Sequence, residues 1–348
     1  MFREVALERP DARAAGIRTA QRPFPALSLA WRESRRFASV ARNAVTSAET
    51  WLAWSRNHAT LTPMTDAPVP PTRADGKLTV ALISEVFWEP DGAVRLKQRL
   101  AEAAQRGADL AVLPEIPLNP WSPSTKEARE EDAEPMNGPR ATAQAEAAAE
   151  AGIGLIGGII HRDENGRRTS RALIFDGRGA IAATYEKLHL PEESGFWETS
   201  HYEPGTDAPK RIDVFGVPIG VQICSDNNRP EGVHLLGAQG ALAMINPRAT
   251  EENTYQEWKT VFRANALTSC LYVLSVNRPS PEDGVPIGGP TVAFDPGGDL
   301  LLETTDTLAL VTVDARVVLD ARRAYPGYLP VRARLYADAW DEIARADG

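Results

Sequence analysis

From Lys77 onward, short apolar runs alternate with amphipathic stretches, and no other feature of the sequence restricts the fold as strongly. Residues 78–84, 110–113, 153–160, 169–175, 182–191, 241–245, 271–276, 291–294, 300–303 and 308–313 read as strands, as does the apolar run into Cys224. Residues 94–106 read as a helix, with Leu96 and Leu100 on one face and Gly107 as its stop. Residues 140–150, 229–239 and 254–268 read as further helices. Alternation of this kind predicts sheets covered by helices. Asp163-Glu164-Asn165-Gly166, Asp176-Gly177-Arg178-Gly179 and Asp295-Pro296-Gly297-Gly298 are turn signals between neighbouring strands. Hairpins imply that the sheets are mixed rather than purely parallel.

Three of these strand ends carry reactive side chains. Leu110-Ala111-Val112-Leu113-Pro114-Glu115 is a buried run stopped by proline, with a carboxylate where it ends. Tyr185-Glu186-Lys187-Leu188-His189 places a lysine at the end of another. Gly220-Val221-Gln222-Ile223-Cys224-Ser225-Asp226 carries a thiol from an apolar strand into a polar turn. Taken singly, each has a plainer reading: a helix-capping carboxylate, a solvated lysine, a cysteine used as a small hydrophobe. Together they suit attack on an amide or nitrile carbon. Such groups are poor electrophiles, so a thiol nucleophile needs an acceptor for its proton and a positive group where negative charge develops.

In this order the three segments resemble the nitrilase superfamily, the carbon–nitrogen hydrolases with a Glu-Lys-Cys triad. Supporting segments are Phe196-Trp197-Glu198, Glu203-Pro204-Gly205, Arg263-Ala264-Asn265-Ala266 and Ser275-Val276-Asn277-Arg278, and the resemblance spans roughly 78–335. It implies that Cys224 is the nucleophile, Glu115 the general base and Lys187 the oxyanion cation. The backbone N–H of Ser225 would be a second oxyanion donor. Glu198 would orient the lysine or the attacking water, with Glu192, Glu193 and Glu203 as competitors for that role. His189 takes a structural place beside the pocket. The implied fold is α/β, a four-layer αββα sandwich of two mixed sheets. The implied assembly is a homodimer or a larger set of dimers, paired through the helix after Cys224 and residues 258–267, with the tail of 321–336 reaching over the partner. No metal and no cofactor are expected.

The substrate is less sharply defined. Residues 191–196 resemble amidases that act on N-carbamoyl amines. The turn Cys224-Ser225-Asp226-Asn227-Asn228-Arg229-Pro230-Glu231 is similar in length to that of carbamoylases acting on D-amino acids. Those enzymes carry arginines where this chain has Asn227 and Asn228. Ser225, Asn227 and Asn228 are therefore the expected substrate-side residues, offering neutral hydrogen bonds in place of an ion pair. Arg229 and Arg248 are alternative carboxylate binders, with a surface ion pair as the plainer reading. An amidase on a small amide or carbamoyl amine is the leading function. The alternatives are a nitrilase using the same triad and a catalytically silent scaffold subunit, which the intact Glu115, Lys187 and Cys224 argue against.

Composition fits a globular enzyme of 348 residues, 43% hydrophobic and 24% charged. A net charge of −9 argues against nucleic acid as the main partner. No apolar run is long enough to span a bilayer. Two cysteines, with Cys270 read as core, suit a reducing compartment and a cytoplasmic location. Residues 1–63 differ from the rest: ten arginines face five acids, so the −9 divides into +5 there and −14 over 64–348. Residues 1–76 are expected to form a disordered or loosely docked extension ending in a linker at Pro68-Val69-Pro70-Pro71. A transit peptide, or a true start at Met64, are the other readings. Residues 77–318 are expected to form the hydrolase domain and 319–348 a tail at the oligomer interface.

Overall fold

The structure, a computed structural model, describes residues 75–346. The extension and linker expected over 1–76 lie, up to residue 74, outside the described residues. In chain order the strands are β1 Lys77–Ile83, β2 Leu110–Val112, β3 Ala133–Glu134, β4 Gly154–Arg162, β5 Arg168–Phe175, β6 Ile181–Glu186, β7 Glu192–Glu193, β8 Phe196–Trp197, β9 Ile219–Val221, β10 Ala243–Arg248, β11 Tyr272–Asn277, β12 Thr291–Phe294, β13 Leu300–Thr304 and β14 Leu308–Asp314. The α-helices are α1 Gly92–Gln105, α2 Pro139–Ala151, α3 Pro230–Ala238, α4 Tyr255–Ser269, α5 Ala315–Arg323 and α6 Ala333–Ala346.

Of the two large sheets, one runs β14-β1-β2-β4-β5-β6, with β3 pairing β4, and the other runs β13-β12-β11-β10-β9, while β7 and β8 pair as a separate two-stranded ribbon. Both large sheets are mixed, as the turn signals predict. β1, β2 and β4 are parallel neighbours, while β4–β5, β5–β6 and β11–β12 are antiparallel. β1 shows why the sheets stack. Leu78, Val80 and Leu82 belong to one core, packed with Ile219, Val221, Ile245 and Leu274 of the second sheet. Ala81 and Ile83, on the opposite face of the pleat, pack with Leu96 and Leu100 of α1 and with Ala147 and Ala148 of α2. A third core joins Met244 and Val273 to Val233 and Leu236 of α3 and to Phe262 and Ala266 of α4. Three apolar layers between four structural ones make the αββα sandwich. Each fully buried Leu, Ile or Val in them contributes roughly 1.5–3 kcal/mol.

Helix ends follow local chemistry. α2 starts on Pro139 and stops at Gly152, whose φ of +68° lets its N–H reach the Ala148 carbonyl. α4 stops at Cys270, itself left-handed at φ +48° and 1% exposed, in the core as expected. Two helices were not anticipated from the sequence. α5 runs across the expected boundary between the domain ending at 318 and the tail starting at 319, and buries Val318 and Arg322. α6 buries none of its residues. No helix among the described residues is long and apolar enough to cross a membrane.

Candidate active site

β2, β6 and β9 end at the same place between the two sheets, and each releases a chemically active side chain there. Glu115 follows β2 through Leu113 and Pro114, Lys187 directly follows β6, and Cys224 follows β9 by three residues. Lys187 is fully buried, and its Nζ donates to Glu115 Oε1 at 2.9 Å. Nζ also lies 2.6 Å from both oxygens of Glu198, donating to Oε1. Glu198, in the short 3-10 turn Glu198–Ser200 after β8, is likewise fully buried. Of the competitors for its place, Glu192 accepts from Thr199 and Ser200, Glu193 lines the pocket described below, and Glu203 pairs with Arg167. The structure therefore brings Glu198, and none of the three, to Lys187.

The electrostatics follow from burial. Desolvation works against the Lys187 charge, but Glu115 and Glu198 outweigh it and hold the pKa well above its ordinary value. Burial pushes the Glu198 carboxyl up to about 8; Lys187 opposes this and Glu115 adds to it. Burial also pushes the Cys224 thiol well up, with Lys187 pulling it down and the two glutamates pushing it further. The resting sulfur is consequently a neutral thiol, and its hydrogen bond runs 3.4 Å to the Ala249 carbonyl rather than to Glu115 or Lys187. Glu115 Oε1 accepts from Lys187 and, at 3.4 Å, from Ser170, while its Oε2 is buried without a hydrogen-bond partner. A carboxylate oxygen in that state is a ready proton acceptor.

The backbone is bent to present these groups. Cys224 opens the 3-10 turn Cys224–Asn228 at φ +46°, and Ile116, directly after Glu115, sits at φ +40°. Left-handed backbone is unfavourable for cysteine and more so for a β-branched isoleucine, so surrounding contacts must impose it. Arg278, fully buried, supplies them at Ile116. Its guanidinium donates to the carbonyls of Glu115 (2.9 Å), Ile116 (3.0 Å) and Asn119 (2.9 Å) and grips Glu282 at 2.7 and 2.6 Å. Asn246 Nδ2 holds the Gln222 and Cys224 carbonyls at 2.9 and 3.3 Å.

Asp226 ties the lysine strand to the cysteine turn. Its buried carboxylate accepts from the N–H groups of Leu188 (3.1 Å), His189 (2.9 Å) and Ile223 (3.2 Å), and from the Tyr185 hydroxyl (2.8 Å). It also lies 2.8 Å from His189 Nδ1, which gives His189 the structural place expected of it. Sequence reasoning assigned no role to Asp226, Asn246 or Arg278. The one available signal was a charged or amide side chain inside an otherwise apolar strand end, which a buried partner has to satisfy.

A cavity of about 330 Å³ opens onto Cys224, with Ser225, Asn228, Glu193, Glu251 and Trp258 among its walls. The expected substrate-side residues divide here. Ser225 and Asn228 line the cavity. Asn227 does not: it is fully buried, and its backbone and side-chain oxygens accept from Asn265 of α4 at 2.8 and 3.0 Å. The 3-10 turn that exposes Asn228 rotates its neighbour into the interior, so Asn227 is a core contact. Neither arginine considered as a carboxylate binder lines the cavity. Arg229 is exposed outside it. Arg248 is fully buried, donating to Ser275 Oγ (2.9 Å), Thr250 Oγ1 and the Pro290 carbonyl (2.5 Å), and burial lowers its pKa to about 10.

The sequence signature of the carbon–nitrogen hydrolase family matches residues 78–326. The chain belongs to that family, within the nitrilase superfamily, and is a hydrolase of carbon–nitrogen bonds other than peptide bonds. It is 26% identical over 288 residues to a citrullinase of Francisella tularensis, covering 78% of this chain and 99% of that one. To the human omega-amidase NIT2 it is 26% identical over 256 residues, covering 71% and 91%. Among solved structures, the nitrilase-superfamily protein Nit3 of Saccharomyces cerevisiae superposes with a TM-score of 0.64 at 25% identity, covering 74% of this chain and 97% of that one.

Proposed function

We propose that the protein is an amidase that cleaves a small amide or N-carbamoyl amine through a thioester on Cys224. One observation carries this reading: a neutral buried thiol lies in the field of a carboxylate with an unpartnered oxygen and of a lysine whose charge is secured by two acids. Glu115 Oε2 takes the thiol proton as sulfur attacks the carbonyl carbon. The tetrahedral oxyanion is held by Lys187 and by the Ser225 N–H, which as the second residue of a 3-10 turn has no partner within it. Glu115 returns the proton to the leaving nitrogen, and ammonia or an amine departs. Water, activated by the same carboxylate, then hydrolyses the thioester. Glu198 accepts a hydrogen bond from Lys187 and positions its ammonium.

The test is ammonia release from amides, carbamoyl amines, ureides and nitriles, with intact-mass detection of an acyl adduct. Cys224→Ala should abolish turnover and the adduct while leaving the thermal unfolding curve unchanged. Iodoacetamide should label Cys224 before Cys270. Wild-type turnover by Cys224→Ala would end this reading.

We also place the protein in the cytoplasm, because both cysteines are free and buried and a thiol nucleophile must stay reduced. We further propose a homodimer. Leu235 of α3 and Leu267 of α4 are each 38% exposed, and α6 carries Leu335, Tyr336, Trp340 and Ile343 on its surface, each more than half exposed. Apolar faces of this kind on three helices suit burial against a second copy.

A further inference from the structure

The cavity above Cys224 has a sign. Two of its walls carry carboxylates, Glu193 from the β7–β8 hairpin and Glu251 from the segment between β10 and α4, and no lysine, arginine or histidine lines it. Neither carboxylate forms an ion pair or a side-chain hydrogen bond with another described residue. Their neighbours show that this is a choice of partner rather than a lack of cations nearby. Lys126 goes to Glu192 and to the face of Trp197, and Lys259 goes to Glu303. Two buried cations lie behind the walls: Lys187 is held between Glu115 and Glu198, and Arg248 has each of its three nitrogens donating to a neutral oxygen and no exposed surface to offer a ligand.

Glu251 is also held firmly. It forms an antiparallel bridge with Ile287, and the residues on either side of it bond Gly288 and Pro286 through the backbone. Its carboxylate is therefore presented from a fixed wall. Trp258 and Phe196 supply aromatic surface in the same cavity, which suits a cation as well as an alkyl chain. The long-range field agrees, since residues 64–348 carry −14.

We infer that the substrate's non-reacting end is a cationic amine, received by Glu251 and Glu193, and that amides bearing a free carboxylate are rejected. This inference rests on the amidase reading above and supplies its substrate class: short ω-amino amides or carbamoyl diamines, with the scissile carbonyl at Cys224 and the ammonium at the acidic wall. An amide with a terminal carboxylate would bring like charges together in a partly desolvated cavity.

Two experiments on the full chain test it separately from the chemistry. The first needs no turnover. Cys224 is modified with a cationic aminoethyl and an anionic sulfonatoethyl methanethiosulfonate, each rate being normalised to that of a free small thiol. The cationic reagent should be favoured by at least about tenfold, and Glu193→Gln with Glu251→Gln should remove most of that preference. Equal rates, or an anionic preference, overturn the inference whatever the enzyme hydrolyses.

The second compares kcat/KM for three amides of equal length ending in ammonium, methyl or carboxylate, and for the matching carbamoyl series. Ammonium should exceed methyl and methyl exceed carboxylate, with Glu251→Gln compressing the range by about tenfold, mainly through KM. A carboxylate-bearing substrate that is turned over fastest also overturns the inference. Retained cationic preference in the reagent test, with no ammonia released from either series, would instead overturn the amidase reading and leave the charge of the cavity established.

Discussion

A lysine without solvent exposure keeps its charge here chiefly through Glu115, with Glu198 on its other side, and the proton count of that trio sets the pH response. Glu198 titrates near 8, so below that pH the group Glu115–Lys187–Glu198 holds one more proton than above it. With Glu198 protonated, Lys187 has one anion to neutralise and more positive field remains for the developing oxyanion. With Glu198 ionised, the trio is net negative and opposes negative charge on sulfur. Activity should therefore fall as pH rises through about 8. Glu198→Gln fixes the neutral form, and its kcat/KM profile should stay flat to a higher pH; an unchanged alkaline limb would assign that limb to another group. The linkage to folding has the same direction. A carboxyl raised from about 4.3 when unfolded binds its proton more tightly in the native state. Its contribution to stability is thus full below about 4.3 and is lost as pH climbs through about 8.

At the scale of elements, the site depends on struts between strand ends more than on the strands themselves. Asp226 is the main one, joining the turn after β9 to the two residues after Lys187 and to Tyr185 of β6. Asp226→Ala would leave two backbone donors of the lysine strand and a buried phenol without their acceptor. We expect a loss of about 3 kcal/mol in stability and a larger proportional loss in turnover, because Lys187 is no longer held in register. Tyr185→Phe removes a single bond of the set and should cost about 1 kcal/mol with activity largely retained. Denaturant unfolding and ammonia release measured on both variants check this. Arg278 plays the matching part for the Glu115 turn. Its planar fork reaches three carbonyls and a carboxylate at once, so Arg278→Lys should weaken turnover as well as stability.

At the scale of the molecule, the two ends of the described chain differ in how they are covered. α6 presents Tyr336, Trp340 and Ile343 at spacings of four and three residues, a single stripe that none of the described residues covers. Trp340→Glu should shift the mass measured by light scattering toward the monomer, and an unchanged mass would remove α6 from the interface. At the other end, β1 is paired by β14 from its first residue, Lys77, and by β2 from Val80. A chain starting at Met64 should therefore remain folded with unchanged kcat/KM. Aggregation or loss of activity would show that residues 1–63 contribute to the hydrolase domain.

Local sequence determined the strands other than the two-residue β3, β7 and β8, and four of the helices, because period-2 and helical apolar patterns, with Gly, Pro and Asp at the breaks, report backbone state directly. It also determined which strand ends carry Glu115, Lys187 and Cys224, since a polar side chain after a buried run is legible without any neighbour. The sandwich layering came from family resemblance; periodicity alone says that both faces of β1 are covered, not by what. α5 and α6 were missed, one short and polar, the other with an apolar stripe that no described residue buries. Tertiary structure alone decided that Glu198 rather than Glu192, Glu193 or Glu203 meets Lys187, that Asn227 turns inward while Asn228 faces the cavity, and that Asp226 and Arg278 hold the turns. These are contacts between residues from 11 to 163 positions apart, or the outcome of one 3-10 turn's rotation. A one-dimensional pattern records a residue's own preference for burial, and not which distant atom satisfies it.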